Sequence, residues 1–104
     1  MAQTVGDHSI QRRYAWGVRA IYGYPRAAAF MACGHAKFTG EVGACMATSR
    51  PGAIHLLNGL YDAQMDHQPA VAIVGQSART ATGAGYQQEV DLATFFKDVA
   101  PPRP

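Results

Sequence analysis

The residues best placed to do chemistry lie in one short turn, Thr48–Gly52, near the middle of the chain. The apolar run Val42–Ala47 before it is typical of a strand buried on both faces. Thr48 and Ser49 offer hydroxyl N-caps and Pro51 suits a first helical turn, so free backbone N–H groups should face the turn. Because ligands bind outside the carboxyl ends of strands in open parallel sheets, this turn is a candidate site for a small ligand.

The same turn also has a purely structural interpretation. On spacing alone, an ordinary strand-to-helix connection without a ligand is favoured, since function resides in sites rather than in folds. The four histidines are scattered without the spacing of metal ligands. His35 has no acid or nucleophile placed with it, so a histidine that is exposed or satisfied by a partner is favoured over a catalyst. The sequence therefore predicts no metal-binding residues.

The alternation of apolar runs with helical patterns predicts an α/β fold, built as three layers, α/β/α, around a parallel sheet. The predicted strands are Val18–Tyr22, Val42–Ala47 and Ala70–Val74. The segment Val42–Gln76 reads as strand, helix, strand, which indicates a right-handed βαβ unit. Its first strand should therefore lie inside the sheet and not at an edge.

Four helices are predicted around this sheet. The first runs from Thr4, an N-cap paired with Asp7, to Trp16, where Gly17 stops it. The others cover Ala27–Phe38 with Gly40 as a left-handed stop, Pro51 to a stop at Pro69, and Asp91–Phe96. In the third helix Ile54, Leu57, Tyr61 and Met65 recur at helical spacing and are the predicted apolar face, with Leu60 beside them.

Composition restricts the class of protein. The 104 residues suffice for one domain, residues 1–100, followed by an irregular proline-rich tail, 101–104. A net charge of +2 is too weak to indicate nucleic acid, and no apolar run is long enough to span a bilayer. With no signal-peptide pattern, Cys33 and Cys45 are predicted to be buried free thiols in a cytoplasmic protein.

Several ordered motifs carry a resemblance to a known family. They occupy residues 28–32, 36–40, 47–53, 62–66, 69–76 and 88–92. In this order they resemble the N-terminal, pyrimidine-binding domain of thiamine diphosphate enzymes of the pyruvate oxidase and acetolactate synthase group. The resemblance covers most of the chain, and a set of ordered motifs is far more specific than a lone glycine pattern.

The resemblance implies thiamine diphosphate with Mg²⁺ as the cofactor of the family. It also implies five cofactor-binding positions in this chain, namely Pro25, Thr48, Pro51, Gly52 and Gln88. The family usually has Ser-Gly-Pro-Gly in the turn, whereas this chain has Arg50 in place of the first glycine. An arginine there is expected to crowd the pocket.

The resemblance also implies two losses. A helix and a strand of the family, about 30 residues, are missing near positions 25–26, and this segment carries the catalytic glutamate. The Gly-Asp-Gly motif that holds Mg²⁺ and the diphosphate does not occur. No catalytic residue is therefore predicted, and the chain alone is expected to bind the cofactor weakly or not at all. The proline-rich ending, where the family has a further strand, resembles a truncation.

Three hypotheses for function remain. The first is a pyrimidine-domain-like protein that is catalytically incompetent alone. The second is an interaction module that forms a homo-oligomer or pairs with a full-length relative. Association is expected because one missing crossover should leave an apolar patch exposed, along Leu56, Leu60, Phe30 or Met31. The third is an unrelated small-ligand binder that uses the turn Thr48–Gly52.

Overall fold

The computed structural model describes residues 3–23 and 27–101 of the chain. In order, the elements are α1 (Val5–Ala15), β1 (Ile21–Tyr22), α2 (Ala28–Thr39), β2 (Gly43–Ala47), α3 (Pro51–Met65), β3 (Ala70–Val74), a 3₁₀ helix (Arg79–Ala81) and α4 (Leu92–Phe95). The strands form one parallel sheet in the order β1–β2–β3, with β2 in the centre. This confirms the predicted α/β fold with its parallel sheet. Pro25 and most of the predicted tail lie outside the described residues.

The first strand is shorter than predicted. Only Ile21 and Tyr22 pair with β2, opposite Ala44 and Cys45. The predicted start, Val18, instead donates its backbone N–H to a carbonyl at the end of α1, 3.0 Å away. Because that N–H closes the helix, it cannot join the ladder of the sheet. β3, in contrast, has the predicted bounds.

Helices α2 and α3 lie together on one face of the sheet and form the core with it. This core consists of small residues and two leucines: Ala28, Ala29, Ala32, Cys45, Ala47, Leu56 and Leu60 are all buried. The closest approach of the two helices is at Gly59, where an added Cβ would lie 2.6 Å from the Cβ of Ala29. Only glycine therefore allows this crossing, and the layer is thin because its contacts are between small side chains.

The opposite face of the sheet is covered less completely. Helix α1 approaches it at one edge, where Ile10 and Tyr14 line a shallow groove with Ile21. However, α1 buries none of its own residues. In β2 the prediction of burial on both faces is wrong at Met46, whose exposed fraction is 41%. Cys45 and Ala47 alternate with it and face the core, and Ala44 is buried although it lies on the same face as Met46.

The predicted apolar face of α3 is wrong. Ile54 and Met65 are exposed, whereas Leu56 and Leu60 are buried. The buried face of α3 consists of Gly52, Ala53, Leu56, Gly59, Leu60 and Ala63. The small residues of this set allow close contact with α2. In the predicted stripe, Leu57 and Tyr61 are consequently only half-buried, and Ile54 and Met65 are exposed.

Because this face of α3 is buried, the predicted exposed apolar patch also changes. Leu56 and Leu60 do not contribute to it, because both are buried in the core. Phe30 and Met31 of α2 are exposed, as predicted.

The local signals predicted at the start of α1 and at the end of α2 are confirmed. The Thr4 hydroxyl accepts from the backbone N–H of Asp7, and the Asp7 carboxylate accepts from the backbone N–H of Thr4, which completes a capping box. Gly40 ends α2 with φ 73°, in the left-handed region. Asp91 is the N-cap of α4 and accepts from the backbone N–H of Thr94.

Candidate functional site in the turn after the central strand

The turn Thr48–Gly52 connects the central strand to α3, as predicted. Its geometry depends on Gly52, because an added Cβ would lie 3.0 Å from Cγ2 of Thr48 and 3.1 Å from the Cβ of Ala47. Pro51 occupies the first turn of the helix. The prediction of a hydroxyl N-cap is wrong, since Arg50 is the N-cap residue and its side chain makes no capping hydrogen bond.

Arg50 has a backbone conformation that is unusual for a residue with a side chain. Its φ is 40° and its ψ is −88°. Positive φ values suit glycine, because a Cβ then clashes with the neighbouring backbone. The arginine side chain is exposed. The turn therefore keeps the path of a glycine-containing turn while it carries an arginine.

Gln88 reaches the turn from a distant part of the chain. The Ser49 hydroxyl donates to Oε1 of Gln88 over 3.4 Å, across 39 positions of sequence. The structure thus brings four of the five predicted cofactor-binding positions into one region: Thr48, Pro51 and Gly52 lie in the turn, and Gln88 lies beside it. Ser49 was not among the predicted positions, although its hydroxyl in the turn was a visible signal.

The loop that carries Gln88 is fixed at its base. Nε2 of Gln76 donates to the carbonyl of Val90 over 3.1 Å and so joins the two ends of the loop. Within the loop, the Glu89 carboxylate accepts from the backbone N–H groups of Gly83 and Tyr86. The Gly83 hydrogen bond, more than any other interaction, lowers the pKa of Glu89 below its ordinary value.

The carboxylates nearest in sequence to Gln88 are already engaged. Glu89 binds backbone N–H groups of its own loop, and Asp91 caps α4 through the N–H and hydroxyl of Thr94. The groups that the turn and Gln88 present are therefore hydroxyls, an amide and backbone, while these two carboxylates are held by backbone N–H donors.

The other groups with chemical potential have structural roles. Cys33 donates its thiol to Asp62 over 3.2 Å, and Lys37 bridges Asp62 and Asp66 across α2 and α3. Burial raises the pKa of Cys45 to about 11. Both cysteines are free and buried, as predicted.

His35 packs against Tyr22, whose hydroxyl lies 3.2 Å from Nδ1 of the imidazole. The other ring nitrogen, Nε2, lies 3.5 Å from the Glu41 carboxylate. The histidine thus has a polar partner, which is one of its two predicted roles, but the prediction that no acid lies beside it is wrong, since Glu41 does. Within residues 3–23 and 27–101, no three His, Cys, Asp or Glu side chains cluster closely enough to hold a metal ion. No helix in that part of the chain is long and apolar enough to cross a membrane.

A groove of about 390 Å³ lies apart from the turn. It separates β3 and α3 from the C-terminal segment, and its lining includes Leu60, Ala72, Val74, Phe96 and Val99. Among the described cofactor-binding positions, neither the three in the turn nor Gln88 lines it. Its walls are mostly apolar, and Ala72, Val74, Phe96 and Val99 also pack against the core.

A family model described as "Thiamine pyrophosphate enzyme, N-terminal TPP binding domain" matches residues 25–95. This range includes the turn and the Gln88 loop. The chain belongs to this family of thiamine pyrophosphate enzymes, within their N-terminal domain, and the resemblance of the ordered motifs is thereby confirmed.

Individual relatives support the same assignment. The chain is 36% identical over 124 residues to the "Putative thiamine pyrophosphate-containing protein YdaP" of Bacillus subtilis, with 94% of this chain and 22% of that protein covered. It is 33% identical over 112 residues to pyruvate oxidase of Lactiplantibacillus plantarum, covering 83% of this chain and 19% of the relative. It is 49% identical over 70 residues to acetolactate synthase of Mycobacterium avium, covering 67% and 11%. The chain therefore spans about a fifth or less of these relatives.

Proposed function

We propose that this chain supplies the pyrimidine-binding side of a thiamine diphosphate site and is catalytically incompetent alone. The observation that carries the proposal is the meeting of Gln88 with the turn Thr48–Gly52, through the hydrogen bond of Ser49 to Gln88. An amide, hydroxyls and backbone can bind one edge of a ring. They supply neither a carboxylate to assist proton transfer nor a metal site for a diphosphate.

Two comparisons support a missing internal segment. The alignments with the Bacillus subtilis and Lactiplantibacillus plantarum proteins extend over 124 and 112 residues, more than the 104 residues of this chain. They therefore contain gaps in this chain. The family match begins at residue 25, where the sequence predicts that a helix and a strand are lost.

Calorimetric titration with thiamine diphosphate and Mg²⁺ tests the proposal. One ring gives few well-packed atoms, and at roughly 0.3 kcal/mol per atom the affinity should be millimolar or weaker. The chain should show no turnover of pyruvate. A micromolar dissociation constant would contradict the expected weak binding, and measurable turnover would contradict catalytic incompetence.

The location of binding is tested by NMR at millimolar thiamine diphosphate. The amide signals of Thr48–Gly52 and Gln88 should shift. Gln88→Ala should weaken these shifts, whereas Gln87→Ala, an exposed neighbour in the same loop, should leave them unchanged. Shifts confined to other parts of the chain would contradict the proposed site.

A second function, association with another copy or with a full-length relative, is favoured by exposed apolar side chains on α2 and α3. Phe38 is 93% exposed and Met65 76% exposed, and Phe30 and Ile54 are about half exposed. Exposed apolar surface of this kind is typical of interaction sites. The hypothesis of an unrelated small-ligand binder has less support, because the family match includes the turn.

Sedimentation velocity over a range of concentrations tests association. We expect concentration-dependent sedimentation that Phe38→Ser weakens. Val5→Ser is the matched control, since Val5 is also exposed but lies on α1. A single monomeric species at all concentrations, alone and mixed with a full-length relative, would exclude association.

A further inference from the structure

Glu89 occupies a concave arrangement of backbone N–H groups in the loop before it. Its carboxylate accepts from the N–H of Gly83 and from that of Tyr86, the latter over 3.0 Å. The backbone N–H of Glu89 in turn donates to the carbonyl of Tyr86 over 3.0 Å. Gly83 and Gly85 have φ of 88° and 68°, which lets the loop turn its N–H groups inward.

Gln88, the residue before Glu89, also has positive φ, at 66°. A residue with a side chain holds this conformation only where its surroundings enforce it. Glu89 provides such a constraint on one side of Gln88, and the hydrogen bond from Ser49 provides another. The hydrogen bond from Gln76 to the carbonyl of Val90 holds the ends of the loop together without involving Gln88 itself.

We infer that Glu89 is a positioning residue, whose carboxylate folds the loop 83–89 so that the Gln88 amide meets Ser49 at the candidate site. This inference rests on the proposed function for the role of Gln88 toward a ligand. Oε1 of Gln88 accepts from Ser49, so its NH₂ group is the part of the amide that can donate to a ring acceptor. The lowered pKa of Glu89 agrees with a carboxylate held as an anion by backbone donors.

NMR on the full chain without ligand tests the inference directly. In Glu89→Ala, the contact between the Gln88 side-chain amide and Ser49, seen as a nuclear Overhauser effect, should be lost. Backbone order parameters of residues 83–89 should fall toward the flexible range, below about 0.6. Glu89→Gln keeps an acceptor of similar shape and should give an intermediate result. Gln87→Ala, in the same loop, should change neither measurement.

Persistence of the contact between Ser49 and Gln88 in a folded Glu89→Ala protein would overturn the inference. If that variant fails to fold, Glu89→Gln decides the question, since an unaltered loop in that variant would also overturn it. Lowering the pH should release the wild-type loop as Glu89 is protonated, but should have no such effect in Glu89→Gln. If the loop were held by contacts that need no charged acceptor, acidification would affect it equally in the wild type and in Glu89→Gln.

Titration with thiamine diphosphate separates this inference from the proposed function. Absence of shifts in the wild type at millimolar thiamine diphosphate would contradict the proposed pyrimidine-binding role but not catalytic incompetence, while the ligand-free contact still decides the role of Glu89. If the wild type binds and Glu89→Ala loses both the contact and the binding-induced shifts at Gln88, both are supported. Loss of the contact with unchanged binding would show that Glu89 positions Gln88 but that Gln88 does not bind the ligand.

Discussion

At the scale of single residues, Pro51 and Gly52 suit the backbone conformations of their positions in the turn Thr48–Gly52, whereas Arg50 does not. Gly52 allows the close approach of α3 to the end of β2, and Pro51 suits the start of the helix. Arg50 has the positive φ of a glycine. Residues held in such conformations cost on the order of 1–3 kcal/mol and persist only when their surroundings enforce them.

Arg50→Gly should raise the free energy of unfolding by about 1 kcal/mol, because the relief of strain exceeds the added freedom of glycine in the unfolded chain. Urea denaturation measures the change. Arg12→Gly, the same substitution at an exposed position inside α1, should lower the free energy by up to about 1 kcal/mol. A loss of stability in Arg50→Gly would show that the arginine side chain contributes an interaction in the turn.

The buried thiols permit a second prediction at this scale. Burial raises the pKa of Cys45 from 9.0 to about 11, so its thiolate fraction at pH 8 should fall roughly a hundredfold. Cys33 is also buried, with its pKa raised by desolvation. In the folded protein neither cysteine should react readily with iodoacetamide, and both should react in urea. Rapid labelling of Cys45 without denaturant would show that β2 opens easily.

At the scale of elements, the crossing of α2 and α3 determines the structure of the core. Glycine and alanine form the contact, so the helices approach closely and bury little area for each residue. The ion pairs of Lys37 with Asp62 and Asp66 bridge the same two helices at the surface. Exposed ion pairs contribute little, about 1 kcal/mol or less, so packing at Gly59 dominates the stability of the crossing.

Gly59→Ala should lower the free energy of unfolding by about 1–3 kcal/mol, because the new methyl group would lie 2.6 Å from the Cβ of Ala29 and from the backbone nitrogen of Phe30. Thermal and urea unfolding measure the loss. Gly34→Ala is the matched control in α2, since no atom outside the helix lies within 4 Å of an added Cβ there. That control should raise stability by about 0.5–1 kcal/mol. Equal effects of the two substitutions would contradict the close crossing.

At the scale of the whole molecule, hydrogen-bonded carboxylates determine the response to acid. Hydrogen bonds from Thr4, Cys33 and Gly83 lower the pKa of Asp7, Asp62 and Glu89, respectively, and Thr94 does the same for Asp91. A carboxyl with a lowered folded-state pKa stabilises the protein above its unfolded pKa. This contribution is lost as the pH falls through the folded-state pKa. Lys37, with a raised pKa, contributes fully until the pH exceeds its unfolded value of 10.5.

The urea midpoint should therefore fall steadily as the pH is lowered from about 5 to 2, and should change little between pH 7 and 10 for these groups. Asp7→Asn should lower stability at neutral pH and reduce the acid dependence, because the substitution removes one of the carboxylates. Gln11→Asn, an uncharged and exposed substitution in the same helix, should leave the acid dependence unchanged. An Asp7→Asn variant with the acid dependence of the wild type would contradict the capping role of Asp7.

Features that depend on neighbours in sequence were predictable from the sequence alone. Apolar runs predicted strands near their observed positions, and the capping box of Thr4 and the stop at Gly40 follow from residue types at the two helix ends. The ordered motifs predicted the family, and their closeness in sequence placed Thr48, Pro51 and Gly52 in one strand-to-helix turn. These signals are short-range or are written directly in the order of residues, so no knowledge of packing was required.

Only the tertiary structure decided which face of α3 is buried, because two apolar stripes run along that helix and the close contact with α2 selects the one with small residues. It also decided that Val18 closes α1 instead of extending β1, since one N–H cannot serve both. The meeting of Gln88 with Ser49 arises where segments distant in sequence are held together. Such choices depend on which partner each group finds in space, and periodicity along the chain carries no information about that partner.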